Sequence, residues 1–140
     1  MEYKTKGLRK VKNKLIGIFT RFIIVPSFRI TLYRWMGIKI GENVFIGMDC
    51  YLDDEVPALL TIKDNVTVAF RVSLVAHDDA GTRTVAPVVL EEGCYIGTGA
   101  IVLPGVIVGK NSVVGAGAVV TRNVEENTTV MGIPAKENKS

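Results

Sequence analysis

The stretch LEEGCYIGTGAIVLPGVIVGKNSVVGAGAVV, residues 90–120, repeats every six residues. Leu90, Ile96, Val102, Val108, Val114 and Val120 mark the period, and all are aliphatic. No helix has a period of six, and a flat strand has a period of two. A coil of short strands joined by tight corners accounts for the pattern. The aliphatic residue points to the coil axis, and a small residue beside it lets the chain turn. Gly97, Gly109 and Gly115 directly follow an aliphatic position, and Ala100, Val106, Ser112 and Ala118 stand four places after one.

The same phase holds upstream, at Ile62, Val68 and Leu74 and at Ile40, Ile46 and Leu52, with Gly41, Gly47 and Ala69 as the small followers. Twelve positions therefore fall into three phased runs. The step from Leu52 to Ile62 is ten residues and that from Leu74 to Leu90 is sixteen. Each exceeds a multiple of six by four, so each implies a loop that leaves the coil and returns. A chain of 140 residues is one domain by default. Its 48% hydrophobic and 22% charged content, with mean hydropathy +0.30, excludes disorder of the bulk.

Two hexapeptides carry a family resemblance: Ile96-Gly97-Thr98-Gly99-Ala100-Ile101 and Val114-Gly115-Ala116-Gly117-Ala118-Val119. They resemble the motif of the hexapeptide-repeat acyltransferases, and Tyr95-Ile96-Gly97 with the Pro87-Val88-Val89-Leu90 return resembles their sugar O-acetyltransferase branch. The resemblance covers about residues 38–136. It implies a mainly β fold, a left-handed parallel β-helix of triangular section with three hexapeptides per turn. That hand departs from the usual right-handed crossover. Twelve repeats give about four coils, roughly 20 Å tall at the strand spacing of a sheet. Residues 1–37 are then an N-terminal helical segment and residues 137–140 a C-terminal tail.

The net charge of +3 conceals a division. Residues 1–36 carry nine basic residues against Glu2 alone, a net +8, and the remainder of the chain carries −5. Leu8, Val11, Leu15, Ile18, Phe22 and Val25 recur at helical steps, and Pro26 is expected to kink or end that helix before a shorter one through Arg29, Leu32, Tyr33 and Met36. The apolar run is too short and too interrupted to span a bilayer, and no small-residue cleavage site marks a signal peptide. Two readings remain. The stripe packs on the body or another subunit, capping the first coil, or the segment lies on an anionic membrane surface. No aromatic stacking platform accompanies the charge, so nucleic acid is set aside. Cys50 and Cys94 read as buried thiols in a reducing, cytoplasmic compartment.

The single histidine narrows the chemistry. His77 alone cannot build a multi-histidine zinc site, and no metal is expected. No G-x-S-x-G is present. His77 stands at the mouth of the longer loop, and histidine suits proton transfer near neutrality. A partner must fix its tautomer, and Asp49, Asp53, Asp54, Asp78 and Asp79 are candidates by sequence.

The resemblance implies more. It makes His77 the general base for moving an acetyl group from acetyl-coenzyme A to a hydroxyl of a sugar or glycan precursor, in polysaccharide biosynthesis. It implies the backbone N–H of Thr98 as oxyanion donor and favours Asp49 as a contact to the substrate hydroxyl or to the histidine. Gly97, Thr98, Gly115 and Ala116 would lie along the pantetheine arm, and Arg122 and Lys136 would meet the phosphates. Arg83 would bind an acidic sugar or pin its loop. The family further implies a homotrimer with active sites between prisms. A serine or amino-sugar acetyltransferase, or a β-helix scaffold without catalysis, are the alternatives.

Overall fold

The computed structural model describes residues 7–139. Two helices open the chain: α1 over Gly7–Arg21 and α2 over Pro26–Met36. Pro26 does not end the first helix but starts the second, where its missing N–H costs nothing. Gly37, at φ 115°, closes α2 in the left-handed region.

From Lys39 the chain coils into a three-sided parallel β-helix. The first face stacks Lys39–Ile40, Leu60–Ile62, Val88–Leu90 and Ile107–Val108. The second stacks Phe45–Ile46, Thr67–Val68, Tyr95–Ile96, Val113–Val114 and Thr129–Met131, and the third Tyr51–Leu52, Ser73–Leu74, Ile101–Val102 and Val119–Val120. Register sets like on like. Ile46, Val68, Ile96, Val114 and Val130 form one column, and Leu52, Leu74, Val102 and Val120 another. Of the twelve phased positions only Ile40 is not fully buried. The core is thus a stack of aliphatic layers, each bonded to the next by the ladder.

The small followers exist for this stacking. A Cβ on Gly97 would sit 2.6 Å from the Ala116 nitrogen and 2.7 Å from the Val114 oxygen. The corners between the first and second faces use asparagine: Asn43, Asn65, Asn111 and Asn127 all adopt left-handed backbone, which asparagine tolerates better than most residues.

Both interruptions of the period leave the coil at the edge between the third and first faces. The first carries a short 3-10 turn, Pro57–Leu59, and the second an antiparallel hairpin pairing His77–Asp78 with Thr84–Val85. Leu74 and Leu90 lie on successive faces. The sixteen-residue step is therefore one repeat plus a ten-residue excursion, and no hexapeptide is hidden inside it. At the far end Lys136–Glu137 turns back antiparallel on Thr129–Met131, and the Asn138 N–H donates to Thr129 O at 2.8 Å. The ordered fold thus runs past residue 136, where the tail was expected to begin.

The helices hold the opposite end. Arg29 is buried, and its guanidinium donates to Ile46 O at 2.6 and 3.1 Å and to Ile23 O. Arg34 donates to Gly41 O at 2.6 Å. The apolar stripe does not pack on the body, however. The face of α1 against the body is Asn13, Ile16, Gly17 and Thr20. Leu8, Val11, Leu15, Ile18 and Phe22 point outward, each more than half exposed. Small residues sit inside because α1 lies close to the coil: a Cβ on Gly17 would be 3.6 Å from Asp54. Lys4 and Lys6, part of the basic segment, fall outside the described residues. Among the described residues no helix is long and apolar enough to cross a membrane.

Candidate active site

The base of the long hairpin carries the chemistry. His77 is largely buried, with 17% of its side chain exposed, and its Nδ1 lies 2.6 Å from Oδ2 of the fully buried Asp53. The Asp53 carboxylate also accepts from four backbone amides: Glu55 at 3.0 Å and Val56 at 3.3 Å on Oδ1, and Ala76 at 2.8 Å and His77 at 3.1 Å on Oδ2. All four of these backbone contacts are N–H donors. An ionised acceptor so placed requires a proton on Nδ1, which leaves Nε2 with its lone pair free. Such an imidazole can accept a proton from a hydroxyl.

The partner of His77 is thus Asp53 and not Asp49. Asp49 lies at the next edge, between the second and third faces, and is committed to α1. Its carboxylate accepts from Arg21 at 2.9 and 3.2 Å, while its own N–H donates to Arg21 O at 3.0 Å. This two-way clamp closes the C-terminus of α1 against a coil corner and gives Asp49 a structural task. Asp54, beside the true partner, is buried with no such cradle, and desolvation raises its pKa although Lys14 opposes the shift.

Arg83 is exposed, and its guanidinium is engaged by the protein's own carboxylates. It donates to Glu55 at 2.9 Å and to Asp79 at 3.0 Å, pinning the hairpin to the shorter loop, and its hydrogen bond holds the Glu55 carboxyl below the usual range. Lys10 of α1 approaches the same Glu55 at 3.9 Å.

The remaining positions divide between two edges. Thr98 lines a groove of about 360 Å³ with Asp49, Arg21, Phe22, Phe70 and Arg71. Thr98 is exposed, and among the described residues its amide reaches no protein acceptor. Met48, Phe70 and Ala116 occupy the same corner of neighbouring coils with the same free amide, so the backbone alone does not single out Thr98. Gly97 and Gly115 turn toward the next coil and serve stacking first; a Cβ on Gly115 would come within 3.0 Å of Met131. Ala116 is exposed on the same edge, and Lys136 ends the column there, across from Met131. Arg122 follows Val120 onto the edge that bears His77. Both cations are exposed, and among the described residues neither makes an ion pair within 4.0 Å.

The sequence compares with known proteins as follows. The family described as "Bacterial transferase hexapeptide (six repeats)" matches residues 87–122, and "Hexapeptide repeat of succinyl-transferase" matches residues 37–69. A Saccharomyces cerevisiae protein classed as an acetyltransferase is 33% identical, over 91% of this chain and 67% of its own length. The galactoside O-acetyltransferase of Lactococcus lactis is 34% identical, over 79% of this chain and 47% of its own length. The chain spans about half to two thirds of the length of the curated relatives it matches. Among solved structures, a hexapeptide-repeat acetyltransferase of Vibrio cholerae, in complex with acetyl-coenzyme A, superimposes with a TM-score of 0.77 at 21% identity, over 95% of this chain and 87% of that one. The coil is therefore the left-handed parallel β-helix. With that fold, both repeat families and relatives above 30% identity, the chain belongs to the hexapeptide-repeat acyltransferase superfamily.

Proposed function

We propose that the protein transfers an acetyl group from acetyl-coenzyme A to a hydroxyl of a sugar or glycan, with His77 as general base. The observation that carries this reading is the Asp53 carboxylate beside His77, which as a hydrogen-bond acceptor holds the ring proton on Nδ1 and leaves Nε2 as a base. His77 Nε2 takes the proton of the acceptor hydroxyl as its oxygen bonds to the acetyl carbon. The amide of Thr98 donates to the oxyanion that develops. The carbon–sulfur bond then breaks, and the proton on Nε2 passes to the departing sulfur. The galactoside O-acetyltransferase names of the relatives support a sugar acceptor.

The assembly we infer is a homotrimer. Within one chain His77 and Arg122 stand on one edge of the prism, while Thr98, Ala116 and Lys136 stand on another. Two edges facing each other across a subunit boundary would bring the sets together. The exposed small residues Ala116 and Gly117 suit a slender pantetheine arm, and Arg122 and Lys136 suit its phosphates. The compartment we infer is the cytoplasm, with membrane contact through residues 1–37 and a role in polysaccharide assembly.

The test is thiol release from acetyl-coenzyme A with a panel of sugars, L-serine and amino sugars as acceptors, the products checked by mass. Acetylation of a sugar hydroxyl that disappears in His77→Ala is the expected result. Transfer confined to serine or to an amine, or none with any acceptor, would overturn it.

A further inference from the structure

Helix α1 is turned inside out relative to an ordinary surface helix. Its body-facing residues are Asn13, Ile16, Gly17 and Thr20, of which Ile16 alone is large and apolar, whereas Leu8, Val11, Leu15, Ile18, Phe19 and Phe22 are all more than half exposed. At about 100° per residue these six share one sector of the helix. Burial against the coil cannot explain them, because the coil takes the opposite face. The apolar surface continues through the link between the helices, with Ile24 79% exposed.

The charges have a matching order. By the same step Lys12 and then Arg9 follow on one side of the apolar sector, and Lys14 and then Lys10 on the other, where Lys10 also approaches Glu55. The described residues of α1 include no acidic side chain. An apolar sector between two basic rows is the pattern of a helix lying in a lipid interface, with its large side chains among the acyl chains and its lysines rising to the headgroups. Trp35, on α2, borders the same surface, 63% exposed and with the Lys12 ammonium 5.3 Å from its ring centroid. Tryptophan favours that depth. A second copy of this helix would fit poorly, since it would bring basic rows against basic rows.

We propose that this outward face of α1 seats in the surface of an anionic bilayer, and that the acceptor hydroxyl is carried at that surface. The acceptor part rests on the transferase reading above; the docking part does not. The base lies beside the docked helix. Asp53, which holds His77, is followed by Asp54, which packs on Gly17 of α1. Lys10 approaches Glu55, which binds Arg83 of the hairpin that carries His77. A glycan carried on a lipid would thus enter near His77, while the donor groove opens along another edge of the prism.

The experiment is co-sedimentation of the full chain with vesicles of phosphatidylcholine alone or mixed with phosphatidylglycerol, at low and moderate salt. Fluorescence of the single tryptophan is read in parallel. The expected result is binding that needs phosphatidylglycerol, weakens with salt and shifts Trp35 emission to the blue. In Leu15→Gln/Phe19→Gln vesicle binding should fall at least about tenfold, as loss of two buried side chains requires. In Arg9→Glu/Lys12→Glu it should fall at least about thirtyfold. Transfer to a soluble sugar should persist in both variants. Loss of that transfer in the unmodified chain would refute the transferase reading and leave docking standing. Absence of binding to either vesicle would overturn docking. So would a smaller oligomer by light scattering in Leu15→Gln/Phe19→Gln, which would assign the face to contact between copies.

Discussion

Replacing Asp53 with Asn asks whether charge, and not shape, holds the base. The carboxylate receives five N–H donors, two on Oδ1 and three on Oδ2. An asparagine offers one acceptor and one NH2. With the NH2 toward Ala76 and His77, three donors meet a donor. With the NH2 toward Glu55 and Val56, two do, so this orientation costs less. Charge-assisted bonds contribute about 1.5–3 kcal/mol each, so losing two costs about 3–6 kcal/mol. That is a large share of the ~5–15 kcal/mol that stabilises a typical domain. Function suffers in either orientation. In the first, the ring must offer Nδ1 as acceptor, which moves its proton to Nε2 and disables the base. In the second, a neutral carbonyl faces the imidazolium that forms during transfer. The expected outcome is a lower urea midpoint and a kcat reduced by roughly 10²–10⁴, with the KM for acetyl-coenzyme A little changed. The assay is thiol release under conditions where circular dichroism shows the variant folded. A folded Asp53→Asn protein with kcat within about threefold of the original would refute the assignment of tautomer and base together.

Further outcomes follow from the same structure. His77→Ala should lower kcat at least ~100-fold and leave the fold intact, with stability falling by about 1.5–3 kcal/mol, as loss of one charge-assisted bond to Asp53 requires, read by thiol release and thermal denaturation. Gly97→Ala should lower the melting temperature, because its Cβ would strike the backbone of the next coil at 2.6 Å; an unchanged melting temperature with a raised KM for acetyl-coenzyme A would assign Gly97 to the donor instead. Arg122→Ala/Lys136→Ala should raise that KM roughly tenfold to a hundredfold with kcat less affected, as loss of a charge-assisted phosphate contact predicts. Asp54→Asn should stabilise the protein at neutral pH, where burial penalises the ionised carboxyl of the parent. Because burial raises the folded pKa above the ordinary carboxyl value, that gain should shrink as pH falls through the raised folded pKa and be gone below the unfolded one. Urea titrations of both proteins across this range provide the check.

The repeat was legible because its period belongs to no other secondary structure. Every phased position from Ile40 to Val120 lies in a strand, and the two breaks in phase are the two excursions. The orientation of α1 was not legible. Periodicity tells which residues share a face, and it does not tell which face meets the body. Here a close approach at Gly17 selected the small residues for the inside. The partner of His77 stood among the five candidates but was passed over, because counting from Ile46 by the family spacing favoured Asp49. The signal that could have found it was present. Leu52 and Leu74 hold equivalent places in successive coils, and an insertion follows each. The residues just after them, Asp53 and Val75-Ala76-His77, must therefore stack at one edge. Pinning its loop was one of the two readings open for Arg83, whereas the clamp made by Arg21 lay beyond sequence reasoning, since its carboxylate partner is twenty-eight residues away.

A coil of parallel strands is open at both ends, and each open end is a row of unpaired amides and carbonyls able to accept another strand. The antiparallel return of Lys136–Glu137 occupies the far end of the second face, so another molecule cannot add there in register. On the first face Val124 contributes only a single bridge beyond Val108. Protection from end-to-end growth is therefore unequal among the three faces and rests most on the short return. A chain cut before Ile133 would lose more than the lysine offered to a phosphate. It would carry an unblocked template for filament formation, and its solubility would decline with time and concentration instead of at a fixed temperature.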